Sequence, residues 1–138
     1  MKNVFDTYKP VGFSTVNSYL FTANPQQLID YLKDAFYATE LSRTQSDDGI
    51  IRNCILKIGE SAFMIAQGTG EFATMRTALY LYVNDVDAVF ENAVKAGGEI
   101  VFQPEDMDYG DRQGGVKDVA GNYWWVSKRL EQKDYGKH

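Results

Sequence analysis

Acid–base or nucleophilic chemistry near neutral pH usually relies on histidine, and this chain has one, His138, as its last residue. Terminal residues are commonly poorly ordered. Ser–His or Cys–His catalysis within the fold is therefore not expected, nor is a metal site that depends on imidazole. A carboxylate-only site is the remaining route. The one cysteine, Cys54, lies in an apolar run, where it reads as a small hydrophobe rather than an activated thiol. The chain is rich instead in aromatics. Tyr123, Trp124 and Trp125 are consecutive, Tyr80 and Tyr82 alternate with leucines, and Tyr109 precedes a glycine-rich stretch. Such residues bury flat apolar molecules and orient them with a few hydroxyls and amides.

The charged residues offer less. Arg112 beside Asp111 reads either as an anion contact at the mouth of a site or as a surface ion pair worth ~0–1 kcal/mol. Arg52 and Arg76 read as solvated. Glu105, Asp106 and Asp108 lack the spacing of a calcium loop. The glycines at 68, 70, 114 and 115 do not open a helix after a strand, so they make no phosphate loop. A net charge of -5 and a pI near 4.8 argue against a nucleic-acid partner. No run approaches the ~18 apolar residues of a membrane span, and the first residues lack a signal-peptide core. With a single cysteine, the expectation is a soluble cytoplasmic protein.

These residues need elements to position them, and the chain states one order of elements twice. Residues 16–22 form a β-prone run. Asn24, Pro25 and Gln27 then mark a helix start, and Leu28, Ile29, Leu32, Ala35 and Phe36 recur at helical spacing. Strands follow at 39–45, 50–58 and 62–67, with turns at Asp47-Asp48-Gly49 and Gly59-Glu60. Residues 68–76 read as a linker. A strand at 77–83 leads to an acidic helix start at Asn84-Asp85-Val86-Asp87. Val86, Val89, Phe90, Ala93 and Val94 give that helix its stripe, and Gly97-Gly98 ends it. Strands at 99–102, 112–117 and 122–127 complete the second set, the last two joined by a turn at Asp118–Asn122. The expected fold class is α+β, with two tandem βαβββ modules at 15–67 and 77–128. An N-terminal segment (1–14) precedes them, and a charged tail (129–138) is expected to fray.

This order resembles the glyoxalase / bleomycin-resistance / dioxygenase group, the vicinal-oxygen-chelate superfamily. Leu79 to Ala88 looks like its strand and Val-Asp-Asp-Val-Asp helix start. Tyr109 to Val126 looks like its glycine-rich hairpin, with Val119 standing where the family's turn has proline. The Tyr-Gly-Asp-Arg and Trp-Trp pairing is closest to the PhnB-like and bleomycin-resistance-like branch. The resemblance implies a curved mixed sheet around a groove, with helices on the outer face. It also implies metal-ligand positions, which in this chain fall on Ser18, Ala78 and Trp125. None is a credible ligand. Asn53 stands where many relatives carry histidine, and its amide would be a weak one. No metal and no cofactor are therefore expected.

Strand alternation then gives a groove list. If Trp125 faces the groove, so does Tyr123. Ala78, Tyr80 and Tyr82 share one face, as do Ser18, Leu20 and Thr22. Asn53 and Ile55 join from the third strand, while Tyr109 and Arg112 lie near one end. Trp124 faces the opposite way, towards a helix. The space beside Trp125 is either an open cavity or a core closed by its own side chains.

Three functions fit. The first is a non-enzymatic module that sequesters a small planar aromatic molecule, as drug-resistance members of the family do. The second is a lyase, isomerase or dioxygenase-like enzyme with an unrecognised site. The third is a structural or regulatory domain. A homodimer is expected, since family members commonly pair.

Overall fold

The computed structural model describes residues 3–136; His138 lies outside them. Two compact units are present. Of the described residues, those up to Lys33 together with Tyr37–Met75 form the first. Asp34–Phe36 and those from Arg76 onward form the second.

The first unit contains β1 (Tyr19–Thr22), α1 (Pro25–Phe36) as far as Lys33, β2 (Thr39–Gln45), β3 (Ile51–Ile58) and β4 (Ser61–Gln67). Its sheet runs β1-β4-β3-β2. β1 is parallel to β4, and the other pairs are antiparallel. The start of α1 follows from its sequence. Pro25 sits in the first turn, and the Asn24 side chain accepts the Gln27 N–H at 3.2 Å, satisfying one of the helix's free donors. The helix ends at Tyr37, whose φ of 60° places a non-glycine residue in the left-handed region. Leu28, Ile29, Leu32 and Ala35 are completely buried. β1 is shorter than the expected 16–22.

The second unit repeats the order with β5 (Ala78–Tyr82), α2 (Val86–Lys95), β6 (Glu99–Asp106), β7 (Asp111–Lys117) and β8 (Tyr123–Arg129). Its sheet runs β5-β8-β7-β6, with β5 parallel to β8 and the rest antiparallel. The Asp85 side chain caps α2 by accepting the Ala88 N–H at 3.1 Å. α2 packs chiefly on β7, and Phe90 fixes how close it comes. A methyl group on Gly114 would lie 2.9 Å from the Phe90 ring, so only glycine fits there. Gly115, one residue on and pointing the other way, is crossed by the Phe102 ring.

Three expected boundaries differ. β6 continues to Asp106 through Pro104, beyond the expected 102. It is an edge strand with a register shift between Phe102 and Glu105, where a missing N–H is tolerated. β8 takes in Arg129, the first residue of the charged segment expected to fray. Of residues 68–76, read as a linker, those up to Met75 belong to the first unit and Arg76 to the second. Thr69 and Phe72 bridge each other, and the Gly68 and Met75 N–H groups donate to the Thr22 and Phe21 carbonyls.

The turn between β7 and β8 is organised by one buried carboxylate. Asp118 accepts the Ala120 and Asn122 N–H groups at 2.8 and 2.9 Å, the Asn122 side-chain amide at 3.1 Å and the Trp124 indole N–H at 2.8 Å. Asn122 in turn accepts the Thr77 N–H at 3.0 Å, tying the turn to the start of β5. Hydrogen bonds to a charged group contribute ~1.5–3 kcal/mol each and are not additive. Asp118→Ala should therefore cost about 3–5 kcal/mol. Urea and thermal unfolding measure this, and a loss below ~1 kcal/mol would show that the turn does not depend on the carboxylate.

Candidate functional site

Alternation along β8 gives the two tryptophans opposite roles. Trp124 is 4% exposed and Val126 is completely buried, while Trp125 and Tyr123 keep partial exposure on the other face. Register sets Ala78 opposite Tyr123 and Tyr80 opposite Trp125. The Tyr80 and Trp125 rings stand 6.3 Å apart and nearly parallel, at 5°. Tyr82 lies 5.9 Å from Tyr80, and Tyr123 lies 6.2 Å from Trp125. Tyr80 and Tyr82 are 52% and 53% exposed. The second unit thus carries a continuous, partly open aromatic surface.

Beside it runs a buried polar row that sequence reasoning missed. Asp111, Gln113 and Ser127 are almost completely buried. Register sets Asp111 opposite Arg129 and Gln113 opposite Ser127. Arg129 donates to Asp111 at 2.9 Å, Gln113 donates to Ser127 at 2.7 Å, and the Tyr109 hydroxyl donates to Gln113. Partial burial and the Tyr80 hydroxyl beside it push the Tyr109 phenol up to about 12. Tyr135, from the tail, donates to Asp111 at 2.6 Å and contacts the Tyr82 hydroxyl. Its own phenol is raised, chiefly by the bond to Asp111.

Arg112 lies elsewhere. It shares a strand face with Gly114 and Val116, and its guanidinium binds Asp87 of α2 at 2.8 and 2.9 Å and Asp106 at 3.0 Å. Its neighbour Asp111 pairs with Arg129 instead. Arg112 is therefore committed to an exposed ion-pair cluster on the α2 side, away from Trp125.

In the first unit the expected alternation is displaced by one residue. Leu20 and Thr22 are buried at 4% each, and the partly exposed face belongs to Tyr19 and Phe21. Ser18 is exposed just before β1. Asn53 does share the Tyr19 face, donating to its hydroxyl at 3.2 Å. Tyr19 and Phe21 stack at 4.7 Å and 15°, and Phe72 continues the series at 5.7 Å and 26°. These rings, with Ile51, Ala66, Arg52, Gln67 and Thr69, line an open cavity of about 460 Å³. The Tyr-x-Phe spacing of β1 was the available signal for this face. Phe72 carried none, because its position depends on the Thr69–Phe72 bridge.

The chain matches the model of the Glyoxalase/Bleomycin resistance protein/Dioxygenase superfamily over residues 14–126. It belongs to that superfamily. An uncharacterized protein of Mycobacterium bovis is 32% identical over 128 residues, covering 85% of this chain and 84% of its own length. An uncharacterized protein of Mycobacterium tuberculosis H37Rv is 32% identical, covering 85% and 75%. Among solved structures, TioX from Micromonospora sp. ML1 superposes with a TM-score of 0.71 at 26% identity, covering 83% of this chain and 99% of its own. A superfamily enzyme from Burkholderia phytofirmans PsJN has a TM-score of 0.68 at 18% identity, covering 83% and 97%. The two βαβββ units are thus those of a vicinal-oxygen-chelate fold.

The metal used by some superfamily members does not fit this donor set. Of the positions the resemblance assigns to ligands, Ala78 and Trp125 offer a methyl group and an indole N–H, which cannot ligate a cation, and Ser18 offers a single exposed hydroxyl. Among the described residues, no group of three or more His, Cys, Asp or Glu side chains is placed to hold a metal ion. Cys54 is completely buried, and burial pushes its thiol up, away from reactivity.

The raised Tyr109 phenol has a measurable consequence. A folded-state value above the ordinary one of about 10 favours the neutral form, so its contribution to stability is intact below pH ~10 and is lost as pH rises through about 12. In a tyrosinate absorbance titration, the difference between wild type and Tyr109→Phe should show one phenol still mainly neutral at pH ~11. Ionisation of that phenol with a midpoint near 10 would contradict the assignment.

Proposed function

We propose that this superfamily member binds and sequesters a small planar aromatic molecule by shape and stacking rather than by metal coordination. The cavity beside Tyr19, Phe21 and Phe72 carries the proposal. Its volume of about 460 Å³ lies within the ~300–1,000 Å³ typical of small-molecule sites. Its lining has the composition of such sites, an apolar body with a few polar groups. Arg52, Gln67 and Thr69 would orient a heteroatom, while the three rings hold the plane of the ligand.

Burying ~150–200 Å² of aromatic surface contributes about 4–5 kcal/mol before association costs. Stacking on one or two rings adds ~0.5–1.5 kcal/mol per pair. Together these total at most ~8 kcal/mol, which sets a ceiling near ~1 μM on the affinity of a simple bicyclic ligand, and association costs weaken it from there. On this reading, Tyr80, Tyr82 and the partly exposed Tyr123 and Trp125 of the second unit form a further aromatic surface for the same class of molecule.

Quinoline and naphthalene-2-carboxylate are suitable first probes, titrated by calorimetry. Phe72 is 58% exposed, so Phe72→Ala should leave the fold intact while weakening binding by about tenfold, or ~1.4 kcal/mol. Equal binding by the variant and wild type would remove the first-unit cavity as the site.

A further inference from the structure

One of the second unit's two buried carboxylates, Asp111, is already answered by a phenol, and that phenol comes from the tail. The chain from Leu130 to Gly136 forms no helix or strand, and each of its residues is exposed. Its deepest polar attachment is the Tyr135 hydroxyl, bonded to Asp111 Oδ2 at 2.6 Å. Asp111 is completely buried, and its other oxygen is held by Arg129 at 2.9 Å. The Arg129 guanidinium lies over the Tyr135 ring, 4.3 Å from its centre. The Tyr82 hydroxyl completes the set. Tyr135 has one hydroxyl proton and gives it to Asp111, so Tyr82 donates to Tyr135.

We propose that Tyr135 is an internal ligand, occupying a phenol-binding subsite formed by Asp111, Arg129 and Tyr82, and that phenolic small molecules bind the second unit by displacing it.

The selectivity follows from the partners. The subsite needs a hydroxyl that donates to a carboxylate and accepts from a phenol, on a ring that can lie against a guanidinium. A phenol does all three. An aryl ether cannot donate. A carboxylate would face Asp111, and an ammonium would face Arg129, each at the cost of like-charge repulsion. Tethering gives Tyr135 a high effective concentration at the subsite, so a free phenol binds wild type only weakly. The segment from 130 to 136 thereby sets a threshold for occupancy. This inference uses second-unit residues alone and stands apart from the first-unit cavity, which the Phe72→Ala titration tests separately.

The experiment uses the full chain as wild type, Tyr135→Ala and Tyr135→Phe, titrated with 4-methylphenol and with 4-methylanisole as the ether control. Unfolding curves confirm that each variant is folded. Tyr135→Ala should bind 4-methylphenol at least tenfold more tightly than wild type, and at least tenfold more tightly than it binds 4-methylanisole. Tyr135→Phe keeps the ring but frees Asp111 Oδ2, so it should fall between the other two proteins. Equal affinity of wild type and both variants for 4-methylphenol would overturn the proposal. So would a Tyr135→Ala variant that binds phenol and ether alike.

Discussion

The Asp118 carboxylate is the constraint on which the second unit's surface chemistry depends. It gathers two backbone N–H groups, a side-chain amide and an indole N–H within one turn. The indole bond matters most for function. Holding Trp124 Nε1 at the turn fixes Trp124 on the buried side of β8, and the two-residue period of a strand then leaves Trp125 and Tyr123 no choice of face. A one-residue slip of β8 would exchange the tryptophans and take Asp118 away from its indole partner. The register of the aromatic surface is therefore enforced from the end of the strand, by a polar group that never touches that surface. Parallel pairing with β5 carries the register onward to Tyr80 and Tyr82.

Glycine does comparable work in the middle of β7. Gly114 and Gly115 are adjacent and so point to opposite faces. One admits Phe90 of α2, and the other lies beneath Phe102. Side chains at these positions would push the helix away on one face and the ring away on the other. Glycine lowers the intrinsic stability of a strand, and here that cost is offset by two close aromatic contacts and by unbroken pairing with β8.

Much of this was legible in the chain. The two βαβββ orders, the Asn24 cap and the opposed tryptophans follow from short-range chemistry that tertiary context did not override. The site was less legible, for identifiable reasons. In β1 the resemblance put its ligand position on Ser18 and alternation carried Leu20 and Thr22 to the same face, whereas both are buried and Tyr19 and Phe21 form the open one. Arg112 sits next to Asp111 in sequence, but adjacent strand residues diverge. Each found its partner across the fold, Arg112 on α2 and β6, and Asp111 on β8. Phe72 and Tyr135 come from segments without regular structure. Their positions depend on contacts to residues far away or on a local bridge, neither of which periodicity can reveal.

The two units share a strand order yet treat the corresponding face differently, and desolvation explains why. In the second unit that face carries Asp111, Gln113 and Ser127. Covering such groups is costly unless every donor and acceptor finds a partner. The segments that cover them must therefore bring matching groups, and Tyr109, Arg129 and Tyr135 are what they bring. Among the described residues, no buried side-chain nitrogen or oxygen is left without a hydrogen bond. The first unit's face is mainly apolar: Phe21, Ile51, Ala66 and Phe72 require no such partners, and the Tyr19 hydroxyl is met by Asn53 of the same sheet. Nothing in its chemistry compels a covering segment, and the face is left as an open cavity. One arrangement of strands thus supports an open apolar recess in one unit and a polar recess filled by the chain's own phenol in the other. The difference lies in a handful of side chains rather than in the fold.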